Sequence, residues 1–135
     1  IGFIRVEVDE TLSRYADWLK VPISSIRSLN GLPFGKEIRL GQKLKIELAK
    51  VGKEEFEEKR YEYHKEIEED FFAVYTIEGA RLYRIKAGDN IWRLCQEEFN
   101  LPMWLVRKYN SAHDFSNLKL DEQLIIPVVG EIAVQ

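Results

Sequence analysis

Two stretches of this chain share one pattern, and that repeat constrains its fold more than any other feature. Residues 4–46 align with residues 83–126. The offset is 79 through the first helical stretch of each copy and 80 from Pro22 and Pro102 onward. One extra residue near the end of that stretch in the second copy accounts for the change. Identical pairs include Arg5/Arg84, Arg14/Arg93, Pro22/Pro102, Arg27/Arg107, Asn30/Asn110, Leu40/Leu120, Leu44/Leu124 and Ile46/Ile126. A unit of about 45 residues is near the lower limit for independent folding.

Each copy reads as strand, helix, helix, strand. In the first, Ile4, Val6 and Val8 alternate with Arg5 and Glu7; in the second, Tyr83, Ile85 and Ala87 alternate with Arg84 and Lys86. Period two means one buried face and one wet face. A short polar turn follows, and Thr11 or Asn90 is placed to cap the first helix with a side-chain oxygen. The helix then sets Leu12, Tyr15, Ala16 and Leu19, or Ile91, Leu94, Cys95 and Phe99, on one apolar stripe. Pro22 and Pro102 open the second helix, where a missing N–H costs little. Asn30 and Asn110 end it, which suggests a left-handed C-cap. Leu44/Ile46 and Leu124/Ile126 then alternate in the last strand. Two strands alone make a marginal sheet, so the two helices must cover one of its faces.

The segment between the copies differs in kind. From Lys50 to Asp70 nine acidic residues outnumber five basic ones, proline is absent, and helix formers dominate. Phe56, Tyr63, Ile67, Phe71 and Val74 form one narrow seam, suited to packing on either repeat or on a second chain. Val74–Ile77 reads as a short strand turning at Glu78-Gly79 into the strand of the second copy. The expected organisation is a first domain over 1–48, a charged helical connector over 49–77, a second domain over 78–130 and a C-terminal tail over 131–135. The fold class is α+β, two βααβ domains joined by a long acidic α-helix.

Twenty basic and 23 acidic side chains give a net charge of -3, which disfavours a nucleic-acid partner. The longest apolar run, Leu124–Val129, is six residues and includes a proline, far short of the roughly 20 a bilayer span needs. No stretch reads as a signal peptide, and a first residue Ile1 instead of Met reads as a piece of a longer chain. A single cysteine, Cys95, makes neither an internal disulfide nor a Cys-based zinc site.

The stretches DETL, LN and LGQKLKI in the first copy, with AGDNIW, YN and LDEQLIIP in the second, resemble the LysM motif. The resemblance implies a fold that binds glycans containing N-acetylglucosamine, peptidoglycan or chitin, in a shallow groove between two loops. Carried over, one wall is Asp9, Glu10, Thr11 and Leu12, or Gly88, Asp89, Asn90 and Ile91. The other is Gly31, Leu32 and Pro33, or Ser111, Ala112 and His113. An acetamido group offers one N–H, one C=O and a methyl; loop backbone can pair with the amide, and Leu12 or Ile91 can floor the methyl. The first copy departs from the family in having Asp9 where it prefers glycine, and the second in having Asp121-Glu122 where it has Gly-Gln. This favours the second copy as the functional site, with Ile91→Asp the more damaging counterpart of Leu12→Asp.

No catalytic, metal-binding or cofactor-binding constellation stands out. Cys95 falls on the buried stripe, and most glutamates crowd the connector instead of facing each other across a cleft. Trp18 reads as packing. Trp92 and Trp104 lie off the main stripes and suit either sugar stacking or a protein neighbour. The expected role is non-catalytic glycan binding in the cell envelope, periplasm or cell wall, holding a larger protein such as a wall hydrolase. The alternative is an assembly module that uses the fold without sugar, dimeric through the connector helix or Trp92/Trp104.

Overall fold

The alternation at the ends of the first copy becomes β1 (Gly2–Arg5) and β2 (Lys43–Ile46), an antiparallel pair with Ile4 opposite Leu44 and Arg5 opposite Lys43. In this computed structural model, which describes residues 1–132, the chain divides into two units, Ile1–Glu69 and the residues from Asp70 onward. The first unit continues with α1 (Leu12–Leu19) and α2 (Ile23–Leu29) between its strands, and with α3 (Lys53–Phe72) after them, whose last three residues belong to the second unit. The second contains β3 (Tyr75–Arg84), α4 (Ile91–Arg93) continuing into a π-helical segment over Leu94–Phe99, α5 (Met103–Tyr109) and β4 (Gln123–Glu131). The architecture is α+β and the expected βααβ order is present twice.

The copies close in the same way. Val6 N–H donates to the Gln42 carbonyl and Gly41 N–H to the Val6 carbonyl; Ile85 and the pair Glu122 and Asp121 repeat both bonds. Thr11 and Asn90 cap their helices as expected, accepting from the Arg14 and Arg93 N–H groups at 3.2 and 2.9 Å. Tyr15, Ala16 and Leu19, with Leu94, Cys95 and Phe99, are buried beneath them.

The extra residue of the second copy has a definite fate. The first copy ends α1 with Lys20 in the left-handed region, its N–H and that of Val21 both donating to the Ala16 carbonyl. In the second, left-handed Asn100 and Leu101 both reach the equivalent carbonyl of Cys95. Widening the last turns to π-helix absorbs one residue and delivers the same cap.

Asn30 and Asn110 do not adopt the expected left-handed cap; their φ angles are -109° and -133°. Their side chains fasten helix to strand instead. The Asn110 amide donates to the Val106 and Ile125 carbonyls at 2.8 and 2.7 Å, and its oxygen accepts from Ile125 N–H at 2.7 Å. Asn30 makes the same three bonds with Ile26 and Lys45. Asparagine alone offers both donors and acceptor at that reach.

The seam on α3 is divided between the units. Phe56 is 1% exposed in the core of the first, beside Tyr15 and Trp18, and Tyr63 packs edge-on against Trp18. Burying one such ring contributes about 2–3 kcal/mol. Phe71 and Phe72 stack edge-on against Trp104 in the second unit. The turn expected at Glu78-Gly79 is a correction: β3 runs through it, with a bulge that leaves Glu78 out of the register between Ile77 and Gly79. The expected tail at 131–135 also begins inside regular structure. Glu131 pairs with Tyr75 and Ile132 N–H donates to the Val74 carbonyl at 2.8 Å; residues 133–135 lie outside the described residues.

Candidate functional site

The turn between the first strand and the first helix needs one residue with positive φ. Gly88 takes it at 86° and its counterpart Asp9 at 65°. The turn before the last strand has the reverse assignment, Gly41 at 80° and Asp121 at 66°. Each copy therefore carries one glycine and one aspartate at two left-handed positions. Aspartate tolerates this region better than most residues because its short carboxylate can bond locally.

The next residue locks the turn. Asp89 accepts from the Lys86 N–H and the Tyr83 hydroxyl, both at 2.8 Å. Burial, with the neighbouring Asp89 carboxylate, pushes the Tyr83 hydroxyl up to about 12. Glu10 accepts from the equivalent Glu7 N–H at 3.0 Å, but its carboxylate is buried and far more heavily engaged. The Tyr15 hydroxyl donates to Oε1. Arg60 of α3 forks onto both oxygens at 2.6 Å, and His64 Nε2 lies 2.8 Å from Oε2. Arg60 also donates to the Arg5 carbonyl and the Tyr63 hydroxyl to the Asp9 carbonyl, at 2.6 and 2.7 Å. Burial works to raise the Glu10 carboxyl, yet the bonds from His64, Arg60 and Tyr15 outweigh it and hold the group at about 2. His64 is raised in turn, chiefly by its bond to Glu10. Glu7, Glu10 and His64 approach within 4.8 Å of one another, an arrangement that could hold a metal ion. Arg60 already supplies the counter-charge there, 2.6 Å from Glu10 and 3.7 Å from Glu7.

This clamp was not legible as a site in the sequence, although its residues shared a helix face. Phe56, Arg60, Tyr63 and His64 follow the spacing i, i+4, i+7, i+8. Reading only apolar positions on a charged helix hid Arg60 and His64 among them.

Leu12 and Ile91 are only 7% and 6% exposed, so neither offers a ligand more than an edge. Substituting either with aspartate would bury a charge and unfold its unit, so the pair expected to rank the notches cannot do so. In the second walls, Gly31 is exposed with φ 61° and Leu32 packs on the core. Pro33 is exposed, and its carbonyl and that of Lys36 are held by Arg27 at 2.9 and 2.7 Å. Ser111 and Ala112 are exposed, while half-buried His113 has Nδ1 2.8 Å from the Glu122 carboxylate. Asp89, Asn90 and His113 thus each have structural partners. Of the residues expected to wall the second groove, Gly88, Ser111 and Ala112 are exposed.

Cys95 is 1% exposed, and burial pushes its thiol up to about 12, against any nucleophilic role. Trp18 is buried, Trp104 meets Phe71 and Phe72, and Trp92 is 62% exposed at the start of α4. No helix among the described residues is long and apolar enough to cross a membrane.

A two-stranded antiparallel sheet with two helices between its strands, in the order strand, helix, helix, strand, defines a small modular domain present here in tandem. The chain belongs to the LysM domain family, whose profile matches residues 4–47 and 83–127. Among solved structures it is similar to the spore cortex-lytic enzyme SleL of Bacillus cereus, at 19% identity with a TM-score of 0.34. It is also similar to SleL of Bacillus megaterium QM B1551, at 16% identity with a TM-score of 0.32. Each match covers 93% of this chain and 22% of the other, so the chain spans about a fifth of those enzymes' length. A comparison with curated protein sequences found no match.

Proposed function

We propose that the chain is a non-catalytic module that binds N-acetylglucosamine-containing glycan, peptidoglycan foremost, through the notch of its second unit, and holds a larger protein at the cell wall. Membership of the LysM family, matched twice in one chain, is the observation that carries this reading. The choice of the second notch rests on the first wall of each unit. In the first unit Tyr63 takes the Asp9 carbonyl, and Arg60 and His64 take the Glu10 carboxylate. A sugar amide would have to compete with those groups. In the second unit the corresponding turn begins with Gly88, where no atom within 4 Å would meet an added Cβ. A small notch of this kind binds weakly by itself, so a long polymer is a better ligand than a short fragment.

A blocking pair tests the assignment without touching either core. Ala112→Arg puts a long side chain at the mouth of the second notch, and Pro33→Arg does so at the first. Ala112→Arg is expected to reduce retention on insoluble peptidoglycan by about tenfold or more, a loss of roughly 1.4 kcal/mol. Pro33→Arg is expected to leave it within about twofold. Equal loss from both, or none from either, would remove the second notch as the main site.

The alternative of a sugar-independent assembly module would need a free apolar surface. Phe56, Tyr63 and Phe71 of α3 are engaged within the chain, which weighs against the connector as a dimer seam. Sedimentation separates the readings: glycan binding requires only a monomer.

A further inference from the structure

The solvent face of the first sheet carries Phe3 and Arg5 on β1 and Lys43 and Lys45 on β2. Arg5 stands directly opposite Lys43 and Phe3 directly opposite Lys45. Three cations therefore share one face of a pair of four-residue strands. Like charges set opposite each other across a ladder destabilise it. Among the described residues none of the three forms an ion pair with a carboxylate. Arg5 donates to the Gly41 carbonyl, and Lys43 Nζ lies 4.5 Å from the centre of the Phe3 ring, which is 55% exposed.

The second unit supplies an internal control. Its ladder has the same register, and the equivalent positions are Leu82, Arg84, Gln123 and Ile125, with Leu82 opposite Ile125 and Arg84 opposite Gln123. The fold therefore does not require a cation at either lysine position. The surplus belongs to the first repeat alone: residues 4–46 hold eight basic and five acidic side chains, and residues 83–126 hold six of each.

We propose that this face, Arg5, Lys43 and Lys45 around Phe3, is a second attachment surface that takes the carboxylates of peptidoglycan peptide stems. The proposal rests on the glycan-binding reading above, and it assigns the two units different parts of one polymer. A guanidinium and two ammonium groups suit several separate carboxylates on a mobile chain. The exposed ring offers apolar contact to the stem's methyl and methylene groups. Neutral chitin lacks such stems, so it can engage only a notch.

The test compares the chain with its Lys43→Gln/Lys45→Gln variant, glutamine being what the second unit carries at one of these positions. Both proteins are measured on intact peptidoglycan, on glycan strands stripped of peptide, and with chitin oligosaccharide. The variant should lose about fivefold to tenfold in retention on intact peptidoglycan at low salt, and raising the salt should erase the difference. On stripped strands and with chitin oligosaccharide the two should bind alike. Thermal unfolding at or above the parent's temperature verifies that the exposed strand tolerates the change. Equal retention on intact peptidoglycan, or equal loss on stripped strands, would overturn the proposal. So would a variant that differs only on anionic lipid vesicles or polyphosphate. If neither protein bound chitin while the lysine-dependent retention persisted, the notch reading would fall and this surface would stand.

Discussion

Glu10→Gln is expected to destabilise the first unit by about 3 kcal/mol. A buried carboxylate there takes a forked bond from Arg60, a bond from Tyr15 and one with His64. Removing one member of a buried ion pair leaves the other charge uncompensated, which typically costs about 3–5 kcal/mol. Arg60 and His64 keep 16% and 27% of their side chains exposed, so water softens the loss and the lower figure applies. The pH dependence carries the same signature. The Glu10 carboxyl is held at about 2 in the folded chain, against about 4.3 when unfolded. Its contribution is therefore complete above the unfolded value and is lost as pH falls toward the folded one. His64 is raised, so its contribution is complete below about 6.5 and is lost as pH climbs through its folded value. Stability of the first unit should form a plateau between about pH 4.5 and 6.5 with a decline on each side. Urea unfolding followed through near-UV signals of buried Trp18 measures it. Glu10→Gln should flatten both limbs, and an unchanged midpoint with an unchanged pH profile would refute the clamp.

Asn110→Ala should cost the second unit about 2–4 kcal/mol. The side chain is 3% exposed and makes three backbone bonds, so its removal strands the Ile125 N–H and two carbonyls while opening a small void. Asn30→Ala removes the same set at a less buried place and should cost less, about 1–2 kcal/mol. Asn110→Asp should not rescue the loss, because a carboxylate can accept from Ile125 N–H but cannot donate to the carbonyls. Amide exchange of Ile125 reads the effect directly. Protection as strong in Asn110→Ala as in the parent would show that the staple is dispensable.

These residues also mark how far the sequence could be read. The βααβ order, the Thr11 and Asn90 caps and the buried place of Cys95 follow from periodicity and local chemistry. Asn30 and Asn110 were recognisable as helix ends, but the role of their side chains depends on strands fifteen residues further on. Local propensity for a left-handed cap lost to that tertiary bond. The inserted residue was visible as a change of offset, while its resolution into π-helix needed the shared Cys95 carbonyl. Glu10 is the instructive case. As one member of a polar turn it looked available to ligand, and only the partner face of α3 makes it a buried anchor.

The most direct measurement is a titration of the isotope-labelled chain with N-acetylglucosamine oligomers, read from backbone amide shifts. The account predicts concentration-dependent shifts at Gly88 to Ile91 and Ser111 to His113, with Asp9 to Leu12 almost still. Saturating oligomer that moves none of the amides at 88–91 and 111–113, or that moves those of the first unit instead, would contradict it.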